Sequence, residues 1–181
     1  MIPNYYFNDI HEITPKFLSS VGIRYIVCDI DNTLVTYADP EPTPSVVAWF
    51  DKMRGAGIKF VFLSNNHGER VERFATSLDI PYFSDAKKPG TKVLRRALDA
   101  IGADISQTAS LGDQIFTDMM AGSRAGLTTL LVPPINDLTD LLHRLKRKGE
   151  YFYMRRFFRK NKGRDADFEH WKDLTVRKGR K

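Results

Sequence analysis

The first 142 residues alternate between short apolar stretches and amphipathic stretches. The apolar stretches are rich in β-branched and aromatic residues and predict strands over residues 23–30, 59–65, 109–113 and 128–132, with a weak one near residues 81–84. Helical spacing and capping signals predict helices over residues 44–57, 68–79, 91–102, 116–126 and 136–148. Strands that alternate with helices form βαβ units, so the expected fold class is α/β, a Rossmann-like doubly wound parallel sheet.

Polar residues follow the apolar stretches at the points where the predicted strands end. These residues are Asp29, Asp31, Ser64, Asn65, Asp113 and Asp118. In a doubly wound sheet the ligand crevice lies beyond the carboxyl ends of the strands. We therefore expect these side chains to converge on one place.

The pair Asp29 and Asp31 carries the first chemical signal. The two stand two positions apart in an extended segment, so both side chains leave the same face of the strand end. Carboxylates that close repel each other unless a cation binds or one of them takes up a proton. Both outcomes suit phosphoryl transfer, because Mg²⁺ prefers carboxylate and phosphate oxygens and a protonated acid can serve a leaving group. Taken alone, such a pair can also do no more than cap a strand or turn.

Four patterns occur in order along the chain: DxDxT at residues 29–33, Ser64 after the next predicted strand, Lys88 before Pro89, and GDxxxxD at residues 112–118. This ordered set resembles the motifs of the haloacid dehalogenase superfamily. In that superfamily, phosphatases and phosphomutases usually carry an acid two positions after the first aspartate. The resemblance implies a phosphatase in which Asp29 is the nucleophile. Asp31 would protonate the leaving oxygen and then deprotonate the hydrolytic water.

Residue chemistry and the resemblance together suggest which groups bind the substrate. Ser64 and the backbone N–H groups of Ile30 and Asn65 would donate hydrogen bonds to phosphoryl oxygens, and Thr33 would position the turn. Lys88 would offset the negative charge of the nucleophile and the phosphate. The alternatives are that Ser64 is a helix N-cap and that Lys88 is a solvated surface lysine.

The expected cofactor is Mg²⁺, held by four aspartates. Asp29 and Asp113 would bind it through carboxylate oxygens and Asp31 through its carbonyl. Asp118 lies at the start of a predicted helix and would act through water or from behind the direct ligands. Asp118 can alternatively be an ordinary acid in the first turn of a helix.

The spacing between the motifs leaves no room for a lid domain. About 28 residues separate Asp31 from Lys59, and about 23 separate Asn65 from Lys88. An open site suits a substrate that brings its own bulk. In detail the chain resembles the capless YqeG-type phosphatases of subclass III, which are related to phosphatidylglycerophosphate phosphatases. That resemblance implies phosphatidylglycerophosphate as substrate. A capless phosphatase acting on a protein, nucleotide or nucleic-acid phosphate is the alternative, and a non-catalytic tethered scaffold is another.

Charge is divided unevenly along the chain, whose net charge is +6. Residues 143–181 hold 15 Lys/Arg against 5 Asp/Glu, whereas residues 1–142 hold 13 against 17. We therefore predict a phosphatase domain over residues 1–148 and a basic, aromatic-rich extension over residues 149–181 that is partly disordered. The N-terminal residues lack a secretory pattern, and no apolar run reaches the roughly 20 residues of a membrane span. We expect a cytoplasmic protein.

The extension contains an amphipathic pattern over residues 151–160. Drawn as a helix, it has Tyr151, Met154, Phe157 and Phe158 on one side and Arg155, Arg156, Arg159 and Lys160 on the other. This pattern is typical of an interfacial helix on an anionic phospholipid surface, which would place the protein on the inner face of a membrane. It also fits aromatic side chains packed on the domain body beside solvated arginines, or a tail that binds nucleic acid.

Overall fold

The computed structural model describes residues 3–39, 41–135, 141–161, 167 and 171, and for residues 141–148 it describes the backbone alone. The strands in this part of the chain are Tyr5–Tyr6 (β1), Tyr25–Cys28 (β2), Lys59–Leu63 (β3), Tyr82–Phe83 (β4), Thr108–Gly112 (β5) and Thr128–Leu131 (β6). The α-helices are Pro15–Ser20 (α1), Pro44–Gly55 (α2), Glu69–Ser77 (α3), Lys92–Ala100 (α4), Met120–Ala125 (α5) and Leu141–Lys160 (α6). A π-helical turn at Ile115–Met119 leads into α5.

All six strands lie in one parallel sheet, in the order β1-β6-β5-β2-β3-β4. The strand β2 is central, and Ile26 is in register with Phe60 on one side and with Ala109 on the other. From β2 the chain first builds outward through β3 and β4, and then returns to build β5 and β6 on the opposite side. The topological switch point therefore lies between β2 and β5, where a ligand crevice is expected.

The predicted α/β fold with a parallel sheet is confirmed, and the differences concern the ends of elements. All four main predicted strands are present, and the weak strand is β4. Three of the four are shorter than predicted, whereas β5 has the predicted length but begins and ends one residue earlier. The first strand was not predicted, because it has two residues and pairs through Tyr5 with Leu130 at the sheet edge. The last predicted helix falls partly on residues 136–140, outside the described residues, and from Leu141 the chain is helical as α6 up to Lys160.

Alternate residues of the central strands pack on opposite faces of the sheet. Ile26 and Phe60 belong to the larger core cluster, which includes the buried faces of α2 and α3. Val27 and Val61 belong to a second cluster, which includes the buried faces of α4 and α5. Burial on both faces explains why these strands read as continuous apolar runs.

The helix α6 packs on the body of the domain. Its buried residues Met154, Phe157 and Phe158 form a third cluster with Tyr6 of β1, Ile115, Met119, Leu131 and Trp171. Upstream in the helix, the side chain of Glu150 accepts a hydrogen bond from the backbone N–H of Ile115 at 2.8 Å. Residues 151–160 were expected to bind a membrane, to bind nucleic acid or to pack on the domain. The structure shows the apolar side of this segment packed on the domain. The predicted domain boundary after residue 148 lies inside this helix.

The segments between the motifs contain no lid domain in the residues that the structure describes. The connection from β2 to β3 contains α2, and the connection from β3 to Lys88 contains α3 and β4. The prediction of an open site is therefore consistent with the fold. Among the helices described, none is both long and apolar enough to cross a membrane.

Candidate active site

A tight turn after β2 places the first motif at the carboxyl end of the sheet. The backbone N–H of Leu34 donates to the carbonyl of Ile30 at 2.9 Å, and that of Asn32 donates to the carbonyl of Val35 at 2.8 Å. Asn32 has a φ of 62°, a left-handed conformation that asparagine tolerates better than most residues. The hydroxyl of Thr33 donates to Oδ2 of Asp29 at 3.2 Å, so this threonine holds the predicted nucleophile itself.

Lys88 is buried and joins two carboxylates. Its ammonium group donates to Oδ1 of Asp29 and Oδ1 of Asp118, each at 2.6 Å, and to the carbonyl of Leu63 at 2.8 Å. Burial alone would lower the pKa of Lys88, but the charges of Asp118 and Asp29 raise it above its ordinary value. The lysine is therefore a fixed positive charge and not a solvated surface residue.

Three aspartates lie together at the switch point. Carboxylate oxygens of Asp29, Asp113 and Asp118 lie within 4.8 Å of one another, and all three residues are buried. Burial raises the pKa of Asp29, Lys88 opposes that rise, and the charges of Asp118 and Asp113 add to it. A cluster of carboxylate oxygens suits a hard divalent cation such as Mg²⁺. The residues present therefore fit the expected metal.

Glycine is required at the end of β5 because Asp118 folds back over it. A Cβ on Gly112 would lie 2.4 Å from the side-chain carboxyl carbon of Asp118. The π-helical turn carries this aspartate inward, and its Oδ2 accepts from the backbone N–H of Gln114 and the hydroxyl of Thr117, each at 3.2 Å. The spacing of the GDxxxxD motif thus brings both of its acids to the same cluster.

Asp31, the predicted general acid, is held by three side chains. Arg70 of α3 forms an ion pair with Oδ1. The amide of Asn66 donates to Oδ2 at 2.7 Å, and the hydroxyl of Ser64 lies 3.5 Å from the same oxygen. Arg70 also donates to the carbonyls of Thr36 at 2.8 Å and Asp39 at 3.0 Å. The arginine therefore links α3 to the loop that carries the acid.

The second motif is a loop, not a helix start. The hydroxyl of Ser64 accepts from the backbone N–H of Asn66 at 3.0 Å, and α3 begins later, at Glu69. Asn65 exchanges hydrogen bonds with the backbone of Lys88, accepting at 2.7 Å and donating at 3.3 Å. The side chain of Asn65 therefore positions the lysine. Phosphate binding by the backbone N–H groups of Asn65 and of the buried Ile30 stays a prediction.

The converging residues surround one small pocket. This catalytic pocket has a volume of about 40 Å³ and is lined by Asp29, Asp31, Tyr37, Ser64, Asn65, Asn66, Lys88, Gln114, Thr117 and Asp118. Tyr37 stands at its rim with 38% of its surface exposed. Burial, followed by the charge of Asp31, raises the pKa of Tyr37 to about 12. The volume suits a phosphoryl group and leaves the remainder of a substrate outside.

Sequence reasoning missed Arg70, Asn66 and Tyr37. Asn66 directly follows the predicted pair Ser64 and Asn65, so its position at a strand end was a usable signal. Arg70 lies in a run of exposed charges, and Tyr37 lies in an irregular loop. No spacing rule points to either of them, because Arg70 contacts Asp31 from α3 and Tyr37 lines the pocket from a loop.

Comparison with known proteins agrees with the motifs. A haloacid dehalogenase-like hydrolase family model matches residues 26–109, and a HAD-hydrolase-like model matches residues 86–152. The probable phosphatase YqeG of Bacillus subtilis is 35% identical over 149 residues, which cover 82% of this chain and 87% of that protein. The chloroplastic phosphatidylglycerophosphate phosphatase 1 of Chlamydomonas reinhardtii is 27% identical over 141 residues. That match covers 70% of this chain and about half, 51%, of the algal protein.

Solved structures show the same fold. The deoxy-D-mannose-octulosonate 8-phosphate phosphatase YrbI of Haemophilus influenzae, in a cobalt-bound form, has a TM-score of 0.51 and 17% identity, covering 61% of this chain and 68% of its own. NagD of Escherichia coli has a TM-score of 0.50 and 15% identity, covering 61% of this chain and 87% of its own. At these identities the likeness concerns the fold alone.

Proposed function

Because the chain belongs to the haloacid dehalogenase-like hydrolases and is a phosphatase, we propose that it hydrolyses a phosphate monoester through an aspartyl phosphate on Asp29, with Mg²⁺ as cofactor. The observation that carries this proposal is the buried pair of Lys88 and Asp29, whose atoms Nζ and Oδ1 lie 2.6 Å apart. The charge of Lys88 favours the ionised form of this carboxylate, opposing the effect of burial, and its hydrogen bond orients the carboxylate towards an anionic phosphoryl group.

The reaction has two steps. In the first, a carboxylate oxygen of Asp29 forms a bond to phosphorus, the ester P–O bond breaks, and Asp31 gives its proton to the leaving oxygen. In the second, Asp31 takes a proton from water, whose oxygen attacks phosphorus. The Asp29–phosphate bond breaks, which releases inorganic phosphate and restores the carboxylate. Ser64 donates to a phosphoryl oxygen during both steps.

The metal would be held by the clustered carboxylates of Asp29, Asp113 and Asp118. The carbonyl of Asp31 stays the predicted further ligand. When bound, Mg²⁺ supplies positive charge to the phosphoryl oxygens. The acidic cluster supports a divalent ion. The complete set of carboxylates, lysine and serine leaves little reason for the alternative of a non-catalytic scaffold.

We propose phosphatidylglycerophosphate as the substrate. The open site accepts a phosphoryl group whose remaining bulk stays outside, and the algal relative is a phosphatidylglycerophosphate phosphatase. The exposed side of α6 carries Arg155, Arg156, Arg159 and Lys160, and the neighbouring Phe152 is 69% exposed. Such a surface suits anionic headgroups and would hold the enzyme on the inner face of a membrane.

Phosphate release tests the proposal. Purified protein with Mg²⁺ is offered phosphatidylglycerophosphate in mixed micelles, glycerol phosphate, a nucleotide, a phosphopeptide and a 5′-phosphorylated oligonucleotide. The lipid is expected to have the highest kcat/KM, and Asp29→Asn to abolish release, whereas the exposed-site control Asp51→Asn retains it. Hydrolysis of the soluble esters but not of the lipid would contradict the proposal of a lipid substrate. Phosphatase activity retained by Asp29→Asn would contradict the proposal that Asp29 is the nucleophile.

Membrane attachment has its own test. Wild-type protein should co-sediment with vesicles that contain anionic lipid, and replacing Arg155, Arg156, Arg159 and Lys160 by glutamine should release it. Each basic residue near such a surface contributes about 1 kcal/mol, so four substitutions suffice to abolish weak attachment. Preferential retention of RNA over vesicles by the wild-type protein would favour the nucleic-acid alternative instead.

A further inference from the structure

A second and larger cavity lies beside the catalytic pocket. This basic groove has a volume of about 790 Å³, and the titratable residues that line it include His67, Asp85, Lys87, Lys92 and Arg96. It lies along β4, at the edge of the sheet. Asn66 and Lys88 line the catalytic pocket. Their neighbours in the chain, His67 and Lys87, line the groove.

The two segments that separate the cavities are joined to each other. The backbone N–H of Asp85 donates to the carbonyl of Asn66 at 3.3 Å, and that of Ala86 donates to the carbonyl of Ser64 at 3.0 Å. Adjacent residues of the chain therefore line the two cavities, Asn66 and His67 on one segment and Lys88 and Lys87 on the other. This adjacency suits a substrate with two anionic groups.

The loop after β4 places two consecutive lysines in different environments. Lys87 has a φ of 51° and is exposed, whereas Lys88 is buried in the catalytic pocket. The loop closes through a 2.8 Å hydrogen bond from the N–H of Gly90 to the carbonyl of Lys87. A Cβ on Gly90 would lie 2.9 Å from that carbonyl oxygen, so the turn requires glycine. The divergence of the lysines is thus fixed by the backbone.

The groove is positive on a body that is otherwise acidic. Residues 1–142 contain 13 Lys/Arg against 17 Asp/Glu, yet the groove is lined by the cations Lys87, Lys92 and Arg96 and by one acid. The acid that lines the groove, Asp85, is paired with His67 at 2.6 Å. Arg96 is held over the ring of Phe83 at 5.9 Å from its centroid. This concentration of charge attracts an anion beside the catalytic pocket.

We propose that the basic groove binds the phosphodiester of a substrate whose phosphomonoester lies in the catalytic pocket. The inference rests on the proposed function, because phosphatidylglycerophosphate carries a diester and a monoester joined by one glycerol. Lys87, Lys92 and Arg96 would contact the diester. The groove would thereby distinguish this headgroup from glycerol phosphate, which presents the same monoester without the diester.

The test compares two soluble substrates, a short-chain phosphatidylglycerophosphate below its critical micelle concentration and glycerol phosphate. The double variant Lys92→Gln/Arg96→Gln removes two groove cations. Its KM for the lipid is expected to rise about 10-fold or more, with kcat and the KM for glycerol phosphate within about twofold of the wild type. The matched control is Arg95→Gln, which removes an exposed cation of the same helix that does not line the groove and leaves both KM values unchanged.

Each other outcome has a distinct meaning. Hydrolysis of the lipid with an unchanged KM in the double variant overturns the groove assignment and leaves the proposed function standing. An equal rise of KM for both substrates also overturns it, since the groove would then act on the monoester. A wild-type enzyme that hydrolyses glycerol phosphate but not the lipid overturns the lipid substrate itself. A 5′-phosphorylated trinucleotide that surpasses the lipid and depends on the same cations replaces the lipid by a nucleic-acid end.

Discussion

Replacing Lys88 by methionine removes the ammonium group at the centre of the active site and keeps an apolar stem. In the native protein that group bridges Asp29 and Asp118 and donates to the carbonyl of Leu63. The lysine and both carboxylates are almost fully buried. Without the lysine, the carboxylates of Asp29, Asp113 and Asp118 remain within 4.8 Å of one another with no ammonium to offset them.

The size of the effect follows from this burial. Removing one partner of a buried ion pair costs about 3–5 kcal/mol, because the remaining charge stays desolvated. For a chain of this size, at about 2–4 °C per kcal/mol, the melting temperature should fall by about 6–20 °C in EDTA. Mg²⁺ at 100 times its Kd adds about 2.7 kcal/mol to any folded state that binds it. Because Lys88 no longer occupies two of the carboxylates, Mg²⁺ should stabilise the variant more than the wild type.

Urea unfolding with EDTA and with Mg²⁺ measures both effects. The control is Lys87→Met, which changes the exposed neighbouring lysine and should cost less than about 0.5 kcal/mol. A loss below about 1 kcal/mol for Lys88→Met would show that the lysine is not the main compensating charge. A Mg²⁺ shift no larger in the variant than in the wild type would show that the cation does not use these carboxylates.

Three further predictions concern other parts of the site and fold. Gly112→Ala should displace Asp118, whose carboxyl carbon would lie 2.4 Å from the new Cβ, and should abolish phosphate release in a protein that still melts cooperatively. Arg70→Gln should lower kcat for glycerol phosphate about 100-fold by misplacing the general acid, but change p-nitrophenyl phosphate, which has a better leaving group, less than about 10-fold. Phe157→Ala should cost about 3–5 kcal/mol in urea unfolding, whereas Phe152→Ala on the exposed side of the same helix should cost under about 0.5 kcal/mol.

Three of the predicted site residues share one property: each stands directly after an apolar stretch. Asp29 follows β2, Ser64 follows β3 and Asp113 follows β5. The parallel sheet forces these ends to one edge, so the order of strands and motifs was enough to bring them together. Lys88 was found through its motif, and its burial between two carboxylates could not be inferred from spacing.

The parts that were not predicted depend on packing between distant elements. Arg70 reaches Asp31 because α3 lies against the loop that contains Thr36 and Asp39, a contact across more than 30 residues of sequence. The apolar side of α6 illustrates the same limit. An amphipathic helix with Phe157 and Phe158 on one side can cover a membrane or a domain, since burial of apolar area favours both. The structure places these rings on the domain, against Tyr6 and Leu131.

The open active site changes how this phosphatase can select a substrate. A lid would enclose the substrate and supply contacts from above, but the described connections between the motifs contain none. The catalytic pocket holds about 40 Å³, so selection must come from groups around its rim. On one side of the rim stand the cations of the basic groove, while the remainder of residues 1–142 is acidic. A substrate with a second anionic group is therefore attracted to that side of the rim, which orients its monoester towards Asp29 before any bond is made.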